Sequence, residues 1–204
     1  MSKNLTHTMA QNLAGKMNHY THKDELEVKK MAYSLETIFL TISKLVIIYL
    51  LAAILGVVTQ TMVIHFAFGI VKHYSFGLHA LSSAVCTVVS CVLLVIVPWA
   101  LTDVGIGNGF VAITFSAVIF ALYKYAPADT KARPLIGKAY RRKLKIKAVC
   151  CGVVLMTIAL LVSSEPVKLL LTLGAVYQAV SILPITYKLL KRSVKNYEPY
   201  ELSA

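Results

Sequence analysis

A histidine and a cysteine, His79 and Cys86, stand seven residues apart at a polar break between two apolar stretches. A cysteine thiolate attacks carbonyl carbon readily, and a neighbouring imidazole can take the thiol proton and return it later. Seven residues of unbroken helix place both side chains on one face but about 10.5 Å apart along the axis. Because that separation is too long for proton transfer, catalysis by this pair requires a helix that begins between the two residues.

Two serines supply such a beginning, since a serine hydroxyl at the N-cap accepts a hydrogen bond from a first-turn amide. With Ser82 or Ser83 as the cap, Cys86 lies in or just past the first turn, where free amides and the helix dipole favour an anion. Gly77 permits the tight or left-handed backbone that would return His79 toward the sulfur. The spacing therefore predicts a thiol nucleophile at a helix start, with the histidine on the preceding loop.

The same residues have two other interpretations. A lone histidine near a lone cysteine is often structural, because free cysteine packs as a small hydrophobic residue. A metal ion held by His73, His79 and Cys86 is the other, but a fourth ligand is missing nearby and the chain has no Cys-x-x-Cys pair. We predict no metal and no other cofactor. His65, Cys91, Cys150 and Cys151 are interpreted as packing residues.

The composition is that of a polytopic membrane protein. Of the 204 residues, 57% are hydrophobic and 15% are charged, and the mean hydropathy is +0.70. Soluble domains typically carry about 45–50% apolar and about 25% charged residues. Several stretches of about 20 residues almost lack charge, and each is long enough to cross the hydrocarbon core of a bilayer as a helix.

We predict an all-α fold with about six transmembrane helices in a single membrane domain, residues 1–204. Residues 1–30 form a polar, partly amphipathic arm that lies on the membrane surface or packs on the protein's own cytoplasmic face. The transmembrane bundle covers residues 33–187, with a basic cytoplasmic loop at 124–147 and a cytoplasmic tail at 188–204. The six predicted spans are 33–57, 58–71, 83–101, 109–125, 148–162 and 169–187. The second is short for a full crossing.

The basic residues predict the orientation. The chain has 21 Lys and Arg and a formal net charge of +12, which in a soluble protein would favour nucleic acid as a partner. Here 19 of the 21 fall in alternate polar segments, the pattern of cytoplasmic loops, so both termini are predicted in the cytoplasm and no nucleic acid is expected. Lys44 lies inside the first span, either snorkelling to the headgroups or forming part of an internal polar site.

Three further stretches of the sequence are distinctive when taken together. They are Tyr74-Ser75-Phe76-Gly77-Leu78-His79 continuing to Cys86, Ala126-Pro127-Ala128-Asp129-Thr130-Lys131 followed by Arg133-Pro134, and Pro184-Ile185-Thr186-Tyr187-Lys188-Leu189-Leu190-Lys191-Arg192. With the length, the number of spans and the basic segment, they resemble the accessory gene regulator B (AgrB) family. These are membrane endopeptidases of peptide quorum sensing in Gram-positive bacteria, and the similarity covers nearly the whole chain.

The resemblance implies a cysteine endopeptidase of the cell membrane that acts on an AgrD-like precursor peptide. In this scheme Cys86 attacks the peptide bond before the precursor's C-terminal tail, and His79 is the general base and acid. The tail leaves, the rest of the peptide stays attached as a thioester, and an internal Cys or Ser of the peptide closes a thiolactone or lactone ring. The resemblance also implies a homodimer in the membrane of a Gram-positive bacterium.

Four more residues are candidates for the site. Lys72, Lys131 and Arg133 would bind an acidic precursor tail, or they are ordinary positive-inside charges. Asp129 would orient His79, or it caps a short helix in the loop. Lys72 stands where family members often have arginine, and lysine lacks the planar fork that binds a carboxylate through two hydrogen bonds.

An alternative of a different class is a non-catalytic transporter or exporter of a small peptide or ion. In that case Lys44, Glu36 and His65 would line the path. A membrane adaptor with no site at all is a third possibility. Substitution of Cys86 separates these classes, because a transporter would tolerate loss of the thiol.

Overall fold

The protein is almost entirely helical. The computed structural model describes residues 5–78, 82–130, 134–194 and 196–202, and within them Phe76 and Ala128 form a parallel β-bridge. The helices are α1 (Leu5–Thr21), α2 (Glu25–Ile54), α3 (Val58–Ser75), α4 (Ser83–Cys91), α5 (Val97–Ala100), α6 (Asn108–Tyr125), α7 (Lys138–Leu161), α8 (Glu165–Ile182), α9 (Pro184–Leu189) and α10 (Glu198–Leu202). A π-helical turn, Val92–Ile96, joins α4 and α5 into one continuous helix, Ser83–Ala100. The all-α prediction is confirmed.

Four helices in the described part of the chain are long and apolar enough to cross a membrane: α2, the helix Ser83–Ala100, α6 and α7. They mark the chain as a membrane protein. The other two predicted spans correspond to α3 and α8, each 18 residues long. Polar residues such as His65 in α3 and Lys168 and Gln178 in α8 make these two helices less apolar.

The two more polar helices, α3 and α8, pack closely against each other inside the bundle. A Cβ at Gly174 of α8 would lie 2.7 Å from the Ala67 Cβ and 2.8 Å from the Ile64 carbonyl oxygen of α3, so only glycine fits this crossing. Small residues at a crossing let two helix backbones approach closely. Helices α6 and α7 complete the main cluster of buried apolar side chains, with Phe115 and Leu155 among its members. The polar helices are therefore largely covered by the apolar ones.

The N-terminal arm folds back on the first long helix. Ala10 and Ala14 of α1 are fully buried, α1 packs along α2, and His7 Nδ1 lies 2.9 Å from Glu36 Oε2. Of the two placements predicted for residues 1–30, the structure has the arm against the protein itself. Which side of a membrane it occupies stays a prediction.

Three helix boundaries differ from the predicted ones. Helix α2 begins at Glu25 rather than near residue 33, because Asp24 caps it by accepting a hydrogen bond from the Glu27 amide. The predicted basic loop 124–147 is helical from Lys138 onward, since lysine and arginine are good helix formers. The predicted span 169–187 is interrupted at Pro184, because the residue before a proline is driven to extended backbone and α8 ends there.

Candidate active site

Cys86 is half-buried and lies near the start of α4, after three exposed residues of that helix. Ser82 is the N-cap of this helix, and its hydroxyl accepts a hydrogen bond of 3.2 Å from the Val85 amide. The Cys86 amide closes the first helical hydrogen bond, 3.0 Å to the Ser82 carbonyl oxygen. The cap is one of the two that the sequence predicted, and it places the thiol at the end of the first turn, where the helix dipole favours negative charge.

The side chain that meets this thiol is a lysine. Lys44 Nζ of α2 donates a hydrogen bond of 2.9 Å to Cys86 Sγ, across 42 positions of sequence. Lys72, at the end of α3, lies within electrostatic range of both Cys86 and Lys44, and its ammonium stands 4.9 Å from the centre of the Phe68 ring. The sequence left the role of Lys44 open, although a single charge inside an apolar run was the signal that marked it.

His79, Lys131 and Arg133 lie outside the described residues. Their predicted roles, as general base and acid and as contacts for an acidic peptide, stay predictions. Among the residues that are described, no three His, Cys, Asp or Glu side chains lie close enough together to hold a metal ion.

The turn before His79, residues Phe76 to Leu78, is fixed by three partners. The Gly77 amide donates to the Ala128 carbonyl oxygen at 2.9 Å, and the Leu78 amide donates to the Ser181 carbonyl oxygen at 3.3 Å. Gln178, fully buried in α8, donates to the Phe76 carbonyl oxygen at 2.6 Å.

Gly77 is required by both conformation and space. Its φ is +108°, in the region that favours glycine, and a Cβ there would lie 2.7 Å from Ser181 Oγ. Phe76 also has positive φ, +57°, so the chain reverses sharply where α3 ends. Because the turn combines strained backbone with satisfied hydrogen bonds, it holds the approach to His79 in one conformation.

Asp129 lies on the other side of this turn. It is 5% exposed, Asn196 Nδ2 stands 3.4 Å from its Oδ1, and the Tyr187 hydroxyl donates to its backbone carbonyl oxygen at 2.9 Å. Within the described residues its Oδ2 has no hydrogen-bond partner, and burial raises the pKa of the carboxyl. Asp129, Lys72 and Gly77 line one cavity of about 320 Å³. Backbone hydrogen bonds from Asn196 and Tyr197 partly offset that rise in pKa, and Oδ2 is the oxygen of this carboxyl that no side chain of the described residues contacts.

A larger, basic cavity of about 540 Å³ is also lined by the segment Ala126–Asp129. Its walls carry cations from the end of α6 and the first turns of α7: Lys124, Lys138, Arg141, Arg142 and Lys145. Glu201, from the C-terminal helix α10, binds Arg141 through two hydrogen bonds of 2.6 and 3.1 Å, and this contact lowers the pKa of the Glu201 carboxyl. The sequence predicted these cations only as a topology signal.

The polar residues of the transporter interpretation have separate partners. Glu36 contacts His7 of the arm, Lys44 contacts Cys86, and His65 Nδ1 lies 3.1 Å from the Tyr49 hydroxyl. Lys44 therefore no longer separates the two classes of function by itself, because its loss would affect the thiol as well.

Comparison with known proteins identifies the family. Residues 3–182 match the model of the family described as AgrB, accessory gene regulator B. A putative AgrB-like protein of Listeria innocua is 39% identical over 178 residues, which are 87% of each chain. A putative AgrB-like protein of Clostridium acetobutylicum is 38% identical over 193 residues, 95% of this chain and 92% of that one. The accessory gene regulator protein B of Staphylococcus intermedius is 31% identical over 173 residues, 85% of this chain and 91% of that one. No solved structure gives a significant match. The chain belongs to the accessory gene regulator B family.

Proposed function

We propose that this protein is a membrane cysteine endopeptidase that removes the C-terminal tail of an AgrD-like precursor peptide and promotes its cyclisation. The observation that carries the proposal is the contact of Cys86 Sγ with the Lys44 ammonium at the start of α4. A thiol at a helix start beside a cation has the surroundings of a reactive cysteine rather than a structural one. Family membership supports the same assignment of the nucleophile.

In the proposed reaction His79 takes the proton from Cys86, and the sulfur forms a bond to the carbonyl carbon before the precursor's tail. The C–N bond then breaks, and the proton passes from His79 to the leaving amine. The product on the enzyme is a thioester, which keeps the acyl group activated. An internal Cys or Ser of the peptide then loses its proton to His79 and bonds to the thioester carbonyl carbon. The thioester C–S bond breaks, which closes the ring and releases Cys86 as a thiolate.

Other residues complete the proposed site. Lys72, Lys131 and Arg133 bind the acidic tail of the precursor, and the basic cavity beside Asp129 extends the cationic surface for it. Asp129 orients His79 through Oδ2, which has no hydrogen-bond partner among the described side chains. The fixed conformation of the turn at Gly77 supports this role, because a positioned imidazole needs a rigid approach.

The proposed setting is a bilayer of a Gram-positive cell. We propose that α3 and α8 complete six crossings with both termini in the cytoplasm, since each has 18 residues and so about 27 Å of helix. The proposed active protein is a homodimer, as the family resemblance implies.

The test uses the full-length protein in lipid vesicles and a synthetic precursor peptide with an internal cysteine and an acidic C-terminal tail. We expect Cys86→Ala to lower the rate of tail release at least about 10³-fold, because no nucleophile remains. His79→Ala should have a comparable effect. The matched control is Cys150→Ala, an exposed cysteine of α7 whose loss should leave the rate unchanged. Mass spectrometry of the released tail measures each rate.

Tail release at the wild-type rate by Cys86→Ala would contradict the proposal that the protein is a cysteine endopeptidase. A transporter instead predicts that Cys86→Ala is silent and that Glu36→Gln abolishes function. Capture of a peptide thioester on Cys86 in the wild-type protein, cleaved by hydroxylamine, would support the acyl-enzyme directly.

A further inference from the structure

The ammonium of Lys44 is in an unusual position for a cation on an otherwise apolar stretch of helix. The side chain is half-buried, and Cys86 Sγ accepts its hydrogen bond at 2.9 Å. None of the ion pairs in the described parts of the chain involves Lys44. A charge inside a membrane protein is costly unless a partner balances it, so a sulfur atom stands where a carboxylate would be expected.

A second cation lies within electrostatic range of the same sulfur. Lys72, at the end of α3, interacts with both Cys86 and Lys44. Two ammonium groups within that range repel each other, and an anion near both relieves the repulsion. Cys86 is the group in position to become that anion, because a thiolate carries one negative charge on the atom that Lys44 already contacts.

The packing of α2 keeps Lys44 directed at α4. Ile48 lies four residues further along α2, on the same helix face, and is 2% exposed. It belongs to a buried cluster that also contains Ala52 of α2 and Leu94 and Val95 from the continuation of α4. Because this cluster fixes the rotation of α2 against the helix Ser83–Ala100, the Lys44 side chain is set against the cysteine rather than free to turn to solvent.

We propose that Lys44 is a catalytic residue whose ammonium holds Cys86 as the thiolate, with Lys72 as the second, more distant cation. This inference rests on the proposed function, since it assigns the activation of the same sulfur. In the step that forms the nucleophile, the S–H bond breaks and the proton passes to His79. The sulfur then uses its electron pair to bond to the carbonyl carbon. Lys44 stays protonated throughout and binds the sulfur again when ring closure expels it as a thiolate.

The experiment measures the thiolate without any substrate. The full-length protein is alkylated with iodoacetamide at a series of pH values, and mass spectrometry quantifies each cysteine separately. We expect Lys44→Met to lower the alkylation rate of Cys86 at pH 7 by about tenfold or more. The pH at which the rate reaches half of its maximum should shift to a higher value. Lys72→Met should have a smaller effect in the same direction.

Three controls keep the result specific. Lys44→Arg retains the charge and should stay within about threefold of the wild-type rate. Lys29→Met removes an exposed lysine of the same helix, paired with Glu25, and should change nothing. Cys150, exposed on α7, serves in every sample as the reference for unaltered folding and reagent. Lys44→Gln is the second neutral variant, for use if the methionine variant does not accumulate, and should show the same loss.

Equal alkylation of Cys86 in the neutral variants and the wild type would overturn the inference. So would an equal loss in Lys44→Arg and Lys44→Met while Cys150 is unaffected, since the charge would then not be the cause. Failure of the proposed function has a different signature: a wild-type protein whose Cys86 is reactive but which releases no peptide tail.

Discussion

Two cations of this protein bind partners of very different chemistry. Lys44 meets one sulfur atom, Cys86 Sγ, at 2.9 Å, in a half-buried site between α2 and α4. Arg141 meets both oxygens of Glu201, and the Gly137 amide donates to the same carboxylate at 2.8 Å. The second contact pairs a full positive with a full negative charge in bidentate geometry. In the first, the charge is balanced only when the thiol loses its proton.

The groups around the two cations also differ. The guanidinium of Arg141 also lies 3.6 Å from the centre of the Tyr197 ring, so the C-terminal segment is held by a stacked and fully bonded cation. Near Lys44 the neighbouring charge is another cation, Lys72. An ion pair such as Arg141–Glu201 stabilises the fold. A cation that contacts a thiol instead of a carboxylate, as Lys44 does, favours the thiolate form of that thiol. The comparison separates a structural contact from a reactive one.

Reversal of the charges is the strongest way to break this comparison. Lys44→Glu would place a carboxylate beside the sulfur and disfavour the thiolate, so we expect tail release to fall at least about 100-fold. The exchange of Arg141→Glu with Glu201→Arg restores opposite charges at the second contact and keeps the net charge of the basic cavity, so we expect tail release to fall far less than in Lys44→Glu. The vesicle assay with the synthetic precursor measures both.

Wild-type activity in Lys44→Glu would mean that the Lys44–Cys86 contact, like the Arg141–Glu201 contact, is structural only. If tail release falls as far in the exchanged Arg141–Glu201 pair as in Lys44→Glu, the activity depends equally on both contacts, and the comparison between them fails. Recovery of both membrane-inserted proteins in equal amounts is the control for folding.

An intermediate effect is expected at the turn that leads from α3 to the site. Gly77→Ala must place a Cβ at φ +108° and within 2.7 Å of Ser181 Oγ, which costs about 1–3 kcal/mol in strain. We expect tail release to fall about tenfold and thermal unfolding to occur at a lower temperature. The matched control is Gly69→Ala in α3, where a Cβ meets nothing within 4 Å.

This variant sharpens the comparison because it leaves both cations in place. If the turn positions the catalytic histidine, Gly77→Ala should slow tail release while the alkylation rate of Cys86 changes little. A parallel loss of both would mean that the turn supports the Lys44 contact instead.

The smallest effect concerns the pH dependence of the Arg141 contact. Its hydrogen bonds lower the pKa of the Glu201 carboxyl below the ordinary value of about 4.3. A lowered folded-state pKa means that the stabilisation is complete above the ordinary value and is lost as pH falls through the lowered one. We therefore expect the hydrogen-exchange protection of the Gly137 amide to persist at neutral pH and to decrease in that acidic range.

Glu201→Gln is the control for this measurement. Its protection at Gly137 should be weaker at neutral pH and should not change further in the acidic range. If the protection of the Gly137 amide also decreases at acidic pH in Glu201→Gln, another group titrates there. Asp129 is then the first candidate, because burial raises the pKa of its carboxyl.

The sequence was sufficient for most of the helices and for the cap of the helix that carries Cys86. Apolar stretches predicted α2, α6 and the helix Ser83–Ala100 to within a few residues at most ends, and the serines predicted the cap before Cys86. These features depend on hydropathy and on residues close together in the chain. The early start of α2 was missed because its first turns are polar, and the cap at Asp24 was the overlooked signal.

The partners of the site could not be predicted in the same way. Lys44 and Cys86 are 42 positions apart, and only the packing of α2 against α4 brings them together. Gln178 reaches the Phe76 carbonyl oxygen across 102 positions. Spacing in a sequence reports faces of one helix, whereas these contacts depend on how two helices are rotated against each other. The available signal for these contacts was a single polar residue in an apolar helix. Such a residue indicates that a polar contact exists but does not identify the residue on the other side of it.

The π-helical turn at Val92–Ile96 has a consequence for the thiol that lies about 9 Å away along the axis. A π turn inserts one residue into an α-helix and so rotates everything on one side of it by roughly a quarter to a third of a revolution. The N-terminal part of this helix can thereby direct the Cys86 sulfur at Lys44 while Leu94 and Val95 of the π turn stay in the apolar cluster. The direction of the thiol therefore depends on residues in the middle of its own helix.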